Sequence, residues 1–124
     1  MKPETEQWVG LAEEDRQMAR AALESSLHRP CVFHCQQALE KVLKAMWIEQ
    51  REQGYPPKKH NLVSLAQELG LQLEDEMWEF LDDLAKQYNP TRYGDVIAEY
   101  SRDQGVHYYR RTEELLDWLL AKLK

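Results

Sequence analysis

Of the 124 residues only two are cysteine, five glycine, five proline and two phenylalanine. No apolar run approaches the ~20 residues that a membrane span needs. Each scarcity removes an option. Cys31 and Cys35 are the only thiols, and four apart on one helix their Cβ vectors run roughly parallel, a poor geometry for a disulfide. Two buried reduced thiols suit a reducing compartment. With His34 they put three ligand types into one helical turn, but no obvious fourth ligand completes a zinc spacing, so no metal is expected. Little glycine and proline argues against a loop-rich or disordered chain, and the sequence contains no Gly-rich phosphate loop, internal repeat or low-complexity segment. Positive charge is also in deficit: 16 Lys and Arg against 22 Asp and Glu leave a net charge of −6. That balance disfavours a broad surface that coats nucleic acid, so any RNA contact must be local. The opening Met1-Lys2-Pro3-Glu4-Thr5-Glu6 is not followed by a signal-peptide core, and a cytoplasmic protein is expected.

What is present is helical periodicity from end to end. The hydrophobic fraction of 43% is enough for one core in one domain spanning residues 1–124, although a partner subunit could add burial. Trp8, Leu11, Ala12, Asp15, Met18, Ala19 and Ala22 recur at three and four, predicting a first helix from about Glu4 to Ser25. Pro30 suits the first residue of a second helix running to about Gln53. There Val32, Cys35, Leu39, Val42, Leu43, Met46 and Trp47 share one arc, while His34, Gln37, Glu40, Lys41 and Lys44 share the other. Gln36 intrudes on the apolar arc and must find a hydrogen-bond partner on another element, since an unpaired buried amide costs about 1 to 3 kcal/mol. Asn61 is a good N-cap for a short helix carrying Leu62, Leu65, Ala66 and Leu69. A fourth main segment, from about Glu74, presents Met77, Trp78, Leu81, Leu84, Ala85 and Tyr88 and ends at Asn89-Pro90. After a loop of about a dozen residues, Ser101 and Gln104 form a capping-box signal for a last helix. It carries Val106, Tyr109, Leu116, Leu119, Leu120 and Leu123 on one side, with Trp118 toward its flank. With no period-two pattern, the fold class is all-α: an antiparallel up-and-down bundle of four main helices plus one short helix.

The run Gln36-Gln37-Ala38-Leu39-Glu40-Lys41-Val42-Leu43-Lys44-Ala45, then His60-Asn61-Leu62, then Tyr88-Asn89-Pro90-Thr91-Arg92-Tyr93-Gly94-Asp95, resembles the small stand-alone HEPN domain proteins in order and spacing. The resemblance extends from Trp8 to Trp118. It implies a HEPN bundle that forms a homodimer, and a protein that is the helical partner of a minimal nucleotidyltransferase in a toxin-antitoxin type pair. The same family includes metal-independent endoribonuclease toxins, and modules that bind nucleotides or only dimerise; no cofactor is implied.

Arg102-Asp103-Gln104-Gly105-Val106-His107-Tyr108-Tyr109 matches the R-x4-H-x-Y form of the HEPN ribonuclease motif. By that resemblance His107 would take the 2′-hydroxyl proton, Arg102 would stabilise the phosphate charge, and Asp103 is the motif's polar residue. The chemistry itself asks for a group titrating near neutrality and a cation. One histidine supplies a base but not an acid at the same moment, so a two-fold dimer is the natural way to complete such a site. On a regular helix, however, Arg102 and His107 are about 140° apart, and they converge only if the first turn is irregular, which Gly105 would allow. Tyr109 lies on the core stripe, and by resemblance the motif tyrosine is also where a nucleotidyltransferase attaches AMP. Arg92 has two readings: a phosphate ligand, or a fork to Asp95 or another carboxylate that ties the loop down. Lys59, beside Lys58 and His60, and Lys41 and Lys44 are candidates for nucleotide or RNA contact. For Lys41 and Lys44, with His34 and Gln37, the simpler reading is a solvated face in which Glu40 and Lys44 form an exposed i,i+4 pair.

Overall fold

The computed structural model describes residues 1–52, 54–92 and 99–124, and among them every regular element is a helix. In chain order these are α1 (Pro3–Glu24), α2 (His28–Gln50), α3 (Leu62–Glu68), α4 (Asp75–Ala85), α5 (Tyr88–Arg92) and α6 (Arg102–Leu123). The four long helices alternate in direction. Lys2 at the start of α1 bonds Glu49 at the end of α2, and Arg16 of α1 pairs with Asp117 of α6. Tyr108 of α6 reaches Asp83 of α4. The expected all-α bundle is therefore present.

The helix ends follow local chemistry. Pro3 opens α1, where its missing N–H costs nothing. Ser26, at φ 60°, turns the chain sharply into α2, which starts at His28, so Pro30 sits in the first turn rather than at its first position. Asn61 Oδ1 accepts from Ser64 N at 2.9 Å and caps α3. Ser101 and Gln104 form the full capping box of α6: Gln104 N donates to Ser101 Oγ (3.1 Å) and Ser101 N to Gln104 Oε1 (2.8 Å). The second helix ends at Gln50, short of the expected Gln53, and the expected fourth segment is split: α4 stops at Ala85, and Tyr88–Arg92 is a separate turn of helix.

The largest correction concerns α2. Its polar arc is not solvated, because α2 is the central helix, with α1, α3, α5 and α6 packed around it. Glu40 and Lys44 are both buried. Burial is possible because each polar group is answered: Lys44 Nζ donates to Glu40 Oε2 at 3.0 Å, and its ammonium also lies over the Trp8 ring. Gln36, fully buried, donates to the His60 carbonyl at 3.1 Å and to Glu40 at 3.2 Å, as its place on the apolar arc requires. The expected stripe of α1 is present but narrower. Ala12, Asp15, Ala19 and Ala22 of that stripe are buried, joined by Thr5, while Leu11 and Met18 on its edge are 42% and 51% exposed. In α6 the buried residues are Gly105, Tyr108, Thr112, Leu115, Leu116 and Leu119: Leu116 and Leu119 are buried as expected, while in the first half Gly105 and Tyr108 take the inward place of Val106 and Tyr109, and Tyr109 is left half-buried on the flank.

Candidate functional site

The first turn of α6 is regular. Its capping box holds the turn closed, and Gly105 serves packing rather than distortion: a Cβ there would meet His28 at 3.3 Å and Leu23 at 3.4 Å, where α6 crosses the corner between α1 and α2. Arg102 and His107 therefore stay about 140° apart around the helix axis. Arg102 and Asp103 are exposed, and Arg102 has no hydrogen bond or ion pair among the described residues.

His107 is also exposed and sets its ring edge against Phe80 of α4, 5.9 Å between centroids. It lines a shallow depression of about 320 Å³ whose other walls are Glu76, Glu79, Asp83, Phe80 and Arg111. Arg111 is already committed to Glu76 and, at 3.5 Å, to Glu114. Around the imidazole, three carboxylates thus face one guanidinium. Beside it Tyr108 donates to Asp83 at 3.0 Å, while Tyr100 donates to Gln87 at 2.7 Å. Gln87 in turn donates to Asp83 at 3.3 Å. Burial, then the Asp83 carboxylate, push both tyrosine hydroxyls above the ordinary phenol value, so they act as fixed donors. Tyr109 points elsewhere along the α1 side of α6, where burial and the Glu113 carboxylate push its hydroxyl up to about 12.

The second polar centre lies along α2. Asp15 of α1 is buried, and His34 Nδ1 lies 2.8 Å from it while Lys41 pairs with its other oxygen. Burial alone would raise the Asp15 carboxyl, but the hydrogen bonds from His34 and Lys41 outweigh it and hold the group below its ordinary value. On the opposite flank His60 Nδ1 is 3.1 Å from both oxygens of Glu40, and its ring stacks on Tyr88, 4.7 Å between centroids. The Arg92 guanidinium lies over the Tyr88 ring and meets the Tyr88 hydroxyl. The Arg92 fork to Asp95, and Tyr93 and Gly94 with it, fall outside the described residues. Lys59 bonds Ser64 at 2.9 Å and pairs with Glu68, which ties the connection to α3.

All three lysines considered for nucleotide contact thus have an anionic or hydroxyl partner inside the chain. In the sequence His60 is marked by its place before Asn61 and beside Lys58 and Lys59. Its link to Glu40 is hidden there because 20 residues separate them, and Asp83 and Tyr108 are hidden for the same reason. Among the described residues no group of three or more His, Cys, Asp or Glu side chains could hold a metal ion. No helix there is long and apolar enough to cross a membrane.

The seam of Gln36, Glu40 and Lys44 on a central helix, tied to His60 and followed by Tyr88 and Arg92, is the structural counterpart of the three segments that carry the family likeness. In a comparison with known families, the HEPN domain model matches residues 5–123. The chain belongs to the HEPN domain family. No curated protein sequence matches it. Among solved structures, this HEPN chain is similar to TT1696 from Thermus thermophilus, with a TM-score of 0.84, 22% identity, and coverage of 98% of this chain and 99% of that one. It is also similar to ST0689, an archaeal HEPN homologue, with a TM-score of 0.75, 26% identity and full coverage of both chains. The first of these likenesses speaks to fold alone; the second agrees with the family.

Proposed function

We propose that this HEPN chain works by binding, as the helical partner of a minimal nucleotidyltransferase in a toxin-antitoxin type pair, and does not itself cleave RNA. The observation that carries this reading is the carboxylate-lined setting of His107. Glu76, Glu79 and Asp83 around the only histidine of the motif raise a negative potential where a phosphodiester would have to sit. Arg102, about 140° away, cannot offset it within one subunit.

The test is co-expression of the chain with a minimal nucleotidyltransferase encoded in a neighbouring reading frame, followed by size-exclusion chromatography with light scattering. Co-elution at a fixed stoichiometry supports the reading. Separate elution, or the lack of any such reading frame, counts against it.

A second reading, a ribonuclease assembled across a homodimer, draws on the exposure of both motif residues. Arg102 has no partner among the described residues, so a two-fold axis could carry it to the His107 of another subunit.

A further inference from the structure

Charge along α6 is unevenly answered. From Arg111 onward every charged side chain of the helix has a partner: Arg111 meets Glu76 and Glu114, Arg16 bridges Glu113 and Asp117, and Lys122 lies over the Trp118 ring. Before Arg111 none has. Arg102, Asp103 and Arg110 are exposed and make no hydrogen bond or ion pair among the described residues.

On a regular helix Asp103 and Arg110 point within about 20° of one another and lie about 10 Å apart along the axis. They stand opposite the stripe of Gly105, Tyr108 and Thr112 that α6 turns toward α1 and α2. Between them, half-buried Val106 sits to one side of the line and exposed His107 to the other. A negative and a positive charge equally far from a midpoint form a pattern that a two-fold axis maps onto its own complement, the condition an isologous contact must meet. Here the midpoint falls between Val106 and His107. Leu27, next in sequence to the His28 that touches Gly105, adds a 54% exposed apolar side chain at the same corner.

We propose that this face of α6 is the contact with a second copy of the chain, in which two α6 helices cross antiparallel about Val106 and Asp103 of each subunit meets the partner's Arg110. Charge complementarity selects this occupant. One arginine with an aspartate two turns away offers a polyanion no run of positive contacts, and a partner surface of a single sign would be repelled at one of the two positions. The same two-fold decides what becomes of the motif. Arg102 lies about 90° from the contact line on the Val106 side, and His107 about 50° from it on the other. An antiparallel two-fold keeps each flank against its own copy, so His107 faces the partner's His107 while Arg102 stays away from both. This dimer therefore leaves the ribonuclease constellation unassembled, unlike the two-fold that would carry Arg102 to His107. It holds whether or not the chain also binds a nucleotidyltransferase.

Sedimentation velocity of the full chain is the test. The wild type should sediment as a dimer. Asp103→Arg and Arg110→Asp each replace two attractions by two repulsions, and each should raise the dimer dissociation constant about a hundredfold, with helical circular dichroism unchanged. The two variants carry opposite charges at both positions, so mixing them should restore a dimer, as should Asp103→Arg combined with Arg110→Asp in one chain. Val106→Cys should link two subunits under mild oxidation, the native thiols being buried; an equal mixture of Arg102→Cys and His107→Cys should not. The proposal is overturned by a wild-type chain that stays monomeric, by a dimer that both reversals leave intact, by reversals that mixing fails to rescue, or by a link between positions 102 and 107, which would support the ribonuclease two-fold instead. Failure to co-elute with a nucleotidyltransferase, with this dimer intact, would overturn the proposed partner and leave the contact standing.

Discussion

Asp15 shows how a single residue can be read correctly in place and wrongly in role. It lies on the inward side of α1, as the spacing implies, yet it is there because His34 and Lys41 of α2 answer its charge. Removing one member of a buried ion pair leaves the other uncompensated, so Asp15→Ala should lower stability by about 3 kcal/mol, measurable by urea denaturation. The pH dependence has a definite sign. The folded-state value of the Asp15 carboxyl is lowered, so its contribution is complete above about pH 4 and is lost as pH falls through that lowered value. The stability difference between wild type and Asp15→Asn should therefore be largest near neutrality and shrink in acid. A difference that grows toward acid would contradict the pairing. Arg102, Asp103 and His107 are legible as a motif because one short stretch of a single helix carries them. The Glu76, Glu79 and Asp83 carboxylates that change the meaning of His107 come from another helix at a separation that no local pattern reports.

At the level of elements, caps and glycines decide where α6 lies. Ser101→Ala removes one half of the capping box and should cost about 1 kcal/mol. Gly105→Val should cost about 1 to 3 kcal/mol, because its side chain must enter the contact already held by His28 and Leu23; thermal melts of the two variants check both values. Were Gly105→Val neutral, the close crossing of α6 over the α1–α2 corner would be in doubt. Caps of this kind are written in nearly consecutive residues, which is why Asn61 and Ser101 are legible in the sequence. The polar arc of α2 misleads for the opposite reason. Periodicity separates polar from apolar, but it does not say whether a polar face meets water or meets Asp15 and His60 from neighbouring segments. Likewise the first half of the α6 stripe lies one step from the expected one, since Val106 and Tyr109 are as apolar in pattern as Gly105 and Tyr108.

For the molecule as a whole, helical order, fold class and family are carried by periodicity and by three motif segments, while the electrostatic character of the site is not. The surplus of acid over base, diffuse in the composition, is concentrated along the α4/α6 side, where it surrounds the only motif histidine. The proposed role of this HEPN chain is accordingly that of a binding partner rather than a nuclease. The most direct measurement is cleavage of a labelled RNA mixture by the purified protein in EDTA, beside Arg102→Ala and His107→Ala. The wild type is expected to leave the RNA intact, indistinguishable from both variants; metal-independent cleavage by the wild type that disappears in both would contradict the binding role and establish the dimeric ribonuclease instead.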